Sequence, residues 1–98
     1  MSFIAMSRVK FPPALGDAVR TVGHRLIPIA RDQPGLIDIA FHQSLEGDET
    51  VMIWEWRTRA DHEACQHSPT WAKLMQEAGD LFQSPGVAFS LETYERLV

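Results

Sequence analysis

The sequence predicts an α+β domain with the element order β-α-β-β-α-β, its helices covering one face of an antiparallel sheet. Three observations carry this. Four segments read as strands, by two-residue alternation or by branched and aromatic residues bounded by turn signals. Two segments place apolar residues three and four apart, the period of an amphipathic helix. Proline and glycine punctuate the boundaries, at Pro12-Pro13, Pro34-Gly35, Gly47 and Ser84-Pro85-Gly86. The resulting order is the split βαβ pattern of ferredoxin-like folds, with one core between sheet and helices.

The first strand runs from Phe3 to Phe11. Phe3, Ala5, Ser7, Val9 and Phe11 fall on one face, and Ile4, Met6, Arg8 and Lys10 on the other. Pro12-Pro13 stops it, and Pro13 suits the first turn of a helix, where an N–H is unpaired anyway. Leu15, Val19, Val22, Leu26 and Ile29 then form one stripe, opposite Asp17, Arg20, His24 and Arg31. Pro28 removes a backbone donor late in this helix, which predicts a kink. Pro34-Gly35 ends it. The second strand spans Leu36 to Leu45, with Ile37, Ile39, Phe41 and Gln43 sharing a face. A polar turn, Glu46-Gly47-Asp48-Glu49, joins it to the third strand, Thr50 to Arg57. The faces of that strand are Val51, Ile53, Glu55 and Met52, Trp54, Trp56, and alternation alone leaves open which of them meets the helices. Thr58 heads a capping box with Asp61 at the third helical position, and a short helix runs to about His67. Ser68-Pro69 restarts the helix. Its stripe is Trp71, Leu74, Met75, Ala78 and Phe82. After Ser84-Pro85-Gly86, Val87 to Leu97 alternates as the fourth strand, with Val87, Phe89, Leu91 and Thr93 on one face.

The 98 residues suit one domain spanning residues 1–98. Charged residues make up 22% and net charge is −4 with both signs interspersed, so there is no basic stripe for nucleic acid or for an anionic membrane surface. No apolar run approaches the roughly 20 residues that span a bilayer. Met1 to Met6 has no basic residue ahead of its apolar ones, unlike a secretory signal. Cys65 is the only cysteine, which rules out a disulfide framework and suits a reducing compartment. A cytoplasmic protein is expected.

A helix layer covers only one face of a sheet, and the other face should then be polar. Here the first strand offers Ile4 and Met6 opposite Phe3 and Val9, and the third is apolar or aromatic on both faces. A large uncovered apolar patch marks an interaction surface, and two-fold self-pairing is its commonest form. A homodimer joined through the sheet face is expected, with Arg8 able to pair with an acid across it. The plainer alternative is a monomer with scattered exposed apolar residues.

From Gln33-Pro34-Gly35-Leu36 to Trp71 the chain resembles the antibiotic biosynthesis monooxygenase family, within the dimeric α+β barrel superfamily. Four features carry the resemblance: Pro34-Gly35 after the first helix, a hairpin strand ending in Glu55-Trp56, the Ser68-Pro69 restart after a short helix, and Trp71 two residues beyond it. The resemblance implies a small oxygenase that uses no metal or flavin and acts on phenolic or quinone-like aromatics. The family also includes haem-degrading members, and fold alone does not fix function. Two departures stand out. Many members carry a histidine nine residues after the strand tryptophan; counted from Trp56 that place holds Cys65, with His62 and His67 at other offsets. Haem-degrading relatives carry a tryptophan there, an asparagine in the first strand and a histidine on the later helix, where this chain has Cys65, Ser7 and Met75. Haem cleavage by that route is not expected.

No metal, nucleotide or hydrolase motif is present. His24, His42, His62 and His67 lack ligand spacing, and neither a glycine-rich phosphate loop nor a GxSxG elbow occurs. No cofactor is therefore expected. Ser7 is the polar member of an apolar face, and its hydroxyl can bond a ligand oxygen or, like most buried hydroxyls, backbone or water. Gln43 is its counterpart on the second strand. Glu55 can serve as a general base if burial raises its pKa, or form an ion pair. Cys65 can be a nucleophile beside His62, or a small buried hydrophobe. The tryptophans can wall a pocket for a flat ligand or pack the core.

Under the resemblance, the expected function is cofactor-independent monooxygenation of a small aromatic molecule by dioxygen. Ser7, Glu55 and His62 are the expected catalytic residues. Phe3, Phe41, Gln43, Trp56, Cys65, Trp71 and Leu74 are expected to line the substrate pocket. The rival is a non-catalytic domain that binds a small hydrophobic ligand or acts only as a structural dimer.

Overall fold

Local signals set where each element begins. The computed structural model describes residues Met1–Val98. β1 (Phe3–Lys10) leads through a 3-10 turn at Pro13–Leu15 into α1 (Gly16–Arg31). The hairpin of β2 (Leu36–Gln43) and β3 (Glu49–Trp56) follows, then α2 (Arg59–Gln66), α3 (Pro69–Glu77), α4 (Gly79–Phe82) and β4 (Ala88–Glu95). All strand pairs are antiparallel, in the order β2-β3-β1-β4, and the sheet is open with β2 and β4 at its edges. This is the ferredoxin-like β-α-β-β-α-β order, its second helical element divided into three pieces.

Caps place the first two of those pieces. The Thr58 hydroxyl accepts from the Asp61 N–H at 3.1 Å, and the Ser68 hydroxyl from the Trp71 N–H at 3.3 Å. Each satisfies an N–H that the first helical turn leaves unpaired. Gly35 ties three elements together. Its φ of +91° favours glycine, its carbonyl accepts from the Arg57 N–H at 2.8 Å, and an added Cβ would overlap the Asp61 carboxylate.

α1 runs on through Pro28 to Arg31, with Pro28 and His24, whose carbonyl loses its helical partner, both exposed. Two local expectations are revised. In β2, Leu36 stands opposite Trp56 and Asp38 opposite Glu55, so Ile37 is an unpaired bulge residue, 52% exposed, and does not share the face of Ile39 and Phe41. The stripe from Trp71 to Phe82 is not one helix, since α3 stops at Glu77 and α4 begins at Gly79, a poor helix former.

The helix layer meets the face of β3 that carries Met52, Trp54 and Trp56, all buried. The core beneath it falls into two clusters. The larger joins Ala5, Trp54, Trp56, Cys65 and Leu74 to Val22 and Leu26 of α1; the smaller is Val9, Phe11 and Val19. The opposite face is left without a covering layer. No helix is long and apolar enough to cross a membrane.

Candidate functional site

The space between the two core clusters is a cavity of about 290 Å³ with a mostly apolar lining. Its floor is Ser7, Thr50, Met52 and Trp54, which alternation puts on the helix-facing side of β1 and β3. Val19, Val22 and Leu26 of α1 and Trp71 and Met75 of α3 close it from above. His62 and Gln66, one turn apart on α2, close one end, while Phe89 and Leu91 of the exposed strand β4 form an edge. Phe41 lies so close to α1 that a Cβ at Gly23 would overlap its ring. An Arg25–Glu77 ion pair at 2.8 Å ties α1 to α3.

His62 is the one titratable group in this lining. It is 5% exposed, and its ring lies 5.3 Å from Phe3, 5.8 Å from Trp56 and 6.1 Å from Trp54, centroid to centroid. Within α2, Arg59 bonds Glu63 and Thr58 bonds the Asp61 N–H, while the imidazole makes no side-chain hydrogen bond within the chain. Burial pushes its pKa below the ordinary imidazole value, outweighing the nearby Glu63 carboxylate, and Arg59 adds to the depression. The ring is therefore neutral near pH 7 and has a nitrogen free to accept a proton.

The other predicted residues divide. Ser7, Phe41 and Trp71 line the cavity with His62. Phe3 and Trp56 do not line it; they back the His62 ring, and Trp56 is fully buried. Leu74, 2% exposed, is core filling. Cys65 is fully buried in the core, and burial pushes its thiol up to about 11, so it keeps its proton and behaves as a small hydrophobe. The Gln43 carbonyl oxygen accepts from Arg20 at 2.8 Å outside the cavity, and the same arginine bonds Asp17 at 2.6 Å. Glu55 projects from the opposite face of the sheet. The Ser2 hydroxyl donates to it and Arg96 lies 3.0 Å from both carboxylate oxygens. The Ser2 bond first and Arg96 second hold its pKa below the usual range, the reverse of what a general base at neutral pH needs.

Sequence reasoning left out Thr50, Met52 and Gln66, and it left the face of Trp54 open. Once Trp56 faces the helices, the period of two carries Trp54, Met52 and Thr50 with it; Gln66 follows from His62 by one helical turn. Both Trp54 Nε1 and Trp56 Nε1 are buried without a hydrogen-bond partner. No group of three His, Cys, Asp or Glu side chains converges to hold a metal ion.

The sequence model for the antibiotic biosynthesis monooxygenase family, described as "Antibiotic biosynthesis monooxygenase", matches residues 2–77. The chain belongs to this family. Solved structures of relatives share its fold. Rv0793 from Mycobacterium tuberculosis superposes with a TM-score of 0.85 at 19% identity, covering 100% of this chain and 97% of that one. PA3566 from Pseudomonas aeruginosa gives 0.81 at 16% identity, over 99% and 95% of the two chains. A variant of SnoaB from Streptomyces nogalater, a cofactor-independent oxygenase, gives 0.80 at 11% identity, over 97% and 92%. A search of curated protein sequences finds no significant match. At such identities the likeness speaks to the fold alone.

Proposed function

We propose that this chain is a cofactor-independent monooxygenase for a small, flat phenolic or quinol-type aromatic, working as a cytoplasmic homodimer of one domain, residues 1–98. The observation that carries the reading is His62, a neutral imidazole with no protein partner, set in a mostly apolar cavity. Family membership and the cofactor-independent oxygenase among the structural relatives support the reaction class.

The chemistry needs little from the protein. His62 takes a proton from an activated C–H or O–H of the substrate, and the electron pair stays on the conjugated anion. That anion supplies the electrons that reduce dioxygen. One oxygen atom enters the substrate as a ketone, the other leaves as water, and an activated CH₂ group loses both hydrogens. The apolar walls exclude bulk water, which leaves the anion poorly solvated and reactive. Ser7, on the floor of the cavity, positions a substrate oxygen.

The dimer is supported by the sheet face without helices. Ile4, Met6, Val51 and Ile53 sit side by side there, and no other part of the chain covers them. Arg8 does not wait for a partner's acid: it pairs with Glu49 at 3.2 Å and Glu92 at 3.9 Å in its own chain, at the margin of this patch. The free, buried Cys65 thiol fits a reducing compartment.

A second reading is favoured by one observation, the proton-bound Cys65 at the position where many family members carry histidine. On that reading the cavity binds a small hydrophobic ligand without turnover. Oxygen uptake by chelator-treated protein, with anthrone and quinol probes, separates the two. Uptake that falls about 100- to 10,000-fold in His62→Gln, the range for losing a general base, establishes the oxygenase. Uptake indifferent to that substitution removes His62 from the mechanism, and ligand binding without any uptake favours the second reading.

A further inference from the structure

Gly23 lies in the interior of α1, where glycine is destabilising relative to alanine. Its backbone does not ask for glycine: the positive-φ glycines are Gly35, Gly47 and Gly86. Space asks for it instead. An added Cβ would overlap Cζ and both Cε atoms of Phe41, the far edge of the ring. The exposed His24 meets the same ring edge to face at 5.3 Å and 89°. Phe41 is thus held in one place by its strand, by Gly23 and by His24.

The strand register puts this ring at the end of a row. Phe41 stands opposite Met52, Met52 opposite Ser7, and Ser7 opposite Leu91, one residue from each strand across the whole sheet. All four line the cavity. Three strand spacings of about 4.8 Å separate the ends of the row, about 14 Å in all. The two ends differ. Leu91 is 41% exposed and Phe89, on the same face, 58%, so the cavity opens at β4. Phe41, backed by α1, bounds it at β2.

We propose that the Phe41 ring, seated on Gly23, is the inner wall that sets how long a flat ligand the cavity takes, with three linearly fused rings as the limit. A ligand enters past β4, lies over Met52 and Ser7, and meets Phe41 with its leading edge. Each ring that enters buries more apolar area, so affinity grows with ring count until the wall is reached. A further ring stays outside and adds nothing. The volume of about 290 Å³ agrees, lying at the small end of ligand sites. This rests on the proposed use of the cavity for a flat aromatic and assigns its size class.

The probes are 2-naphthoate, anthracene-2-carboxylate and tetracene-2-carboxylate, flat acids that differ by one ring each. The carboxylate stays in water at the mouth, because burying an unpaired charge is costly, so added rings point inward. None carries an acidic C–H, and calorimetric titration reads binding without turnover. The wild-type protein should bind the three-ring acid about tenfold more tightly than the two-ring acid, from the added apolar burial, and gain nothing from the fourth ring. Gly23→Ala pushes the ring inward and should abolish the tenfold gain while leaving 2-naphthoate unchanged. Phe41→Leu added to Gly23→Ala relieves the overlap and should restore the gain, which general damage to the helix would not allow. Phe41→Ala should extend the gain to the fourth ring. An unchanged ring-count preference in Gly23→Ala, equal losses for the two- and three-ring acids, or no binding of either by the wild-type protein overturns the proposal. Oxygen uptake that depends on His62, with a ring-count preference indifferent to Gly23 and Phe41, removes the wall and leaves the oxygenase reading standing. A shifted preference in a protein that consumes no oxygen with anthrone or quinols does the reverse.

Discussion

One strand, β3, builds two surfaces of opposite character. Towards the helices it turns Thr50, Met52, Trp54 and Trp56, all buried; away from them it turns Val51, Ile53 and Glu55, all half-buried. The covered side surrounds a neutral imidazole and two unpaired indole N–H groups with aromatic rings. The bare side is aliphatic at its centre, and its charges are neutralised within the chain, Glu55 by Arg96 and Arg8 by Glu49. The difference teaches that polar groups left unpaired on one side and paired on the other have different uses. On the proposed reading, the covered side leaves the His62 imidazole available to a small ligand, while the bare side presents an apolar, charge-balanced patch of the kind that suits another protein surface.

The sharpest way to break this contrast is at Trp56. It backs His62 and is fully buried, so Trp56→Ala opens a void in the larger core cluster. A loss of about 3–5 kcal/mol is expected from chemical denaturation, the usual cost of removing a buried tryptophan. The matching change on the bare side, Ile53→Asp, should leave folding nearly intact and instead weaken self-association roughly 100-fold, in line with the cost of an unpaired charge at an interface. Sedimentation of wild-type and variant proteins reads this directly. A wild-type chain that sediments as a monomer at micromolar concentration would sink the dimer proposal, and with it the meaning given to this face.

How much of this was legible in the sequence follows the range of each interaction. Thr58 with Asp61, Ser68 with Trp71, and the turn at Gly35 are decided by residues a few positions apart, and the local pattern names them. The Ile37 bulge depends on how β2 pairs with β3, and no period within β2 announces it. Glu55 illustrates the same limit at the site. Its residue type permits a base or an ion pair, and Arg96, 41 positions away, decides for the pair. His62 lay at the wrong offset for the family histidine and still reaches the cavity, because α2 docks with both His62 and Cys65 buried. The offset tells which residue replaces the histidine, not which residues the helix buries.

A smaller effect is expected at Gly23, where α1 allows the Phe41 ring to approach. Gly23→Ala forces that ring to move, and overpacking of this kind costs about 1–3 kcal/mol. The gain in helix propensity from glycine to alanine offsets about 1 kcal/mol. The net change in stability is therefore modest, and the clearer readout is the cavity. Phe41 is part of the lining, so its displacement should change the affinity for flat aromatic probes while sedimentation stays as in wild type. Unaltered probe binding would place the ligand elsewhere.

The smallest effect tests the neutral imidazole itself, through the pH dependence of stability. The folded pKa of His62 lies below its unfolded value because burial penalises the charged ring. Between those two pKa values the unfolded chain binds more protons than the folded one, so stability rises with pH in that window. Above the unfolded value of about 6.5 the group adds no pH dependence. As pH falls below about 6.5 stability declines, and the decline levels off once the folded pKa has been passed. His62→Phe keeps an aromatic ring in place and removes the proton site, so its unfolding midpoint should lose this component of the slope between pH 7 and pH 5. A paired histidine stabilised as a cation would give the opposite slope. The bare face gives no such signature in this range, because Glu55 is held below the usual carboxylate range by Ser2 and Arg96 and stays charged throughout. A slope in His62→Phe identical to that of the wild-type protein would mean that the imidazole is not kept neutral by burial, and the acceptor role assigned to it would fall.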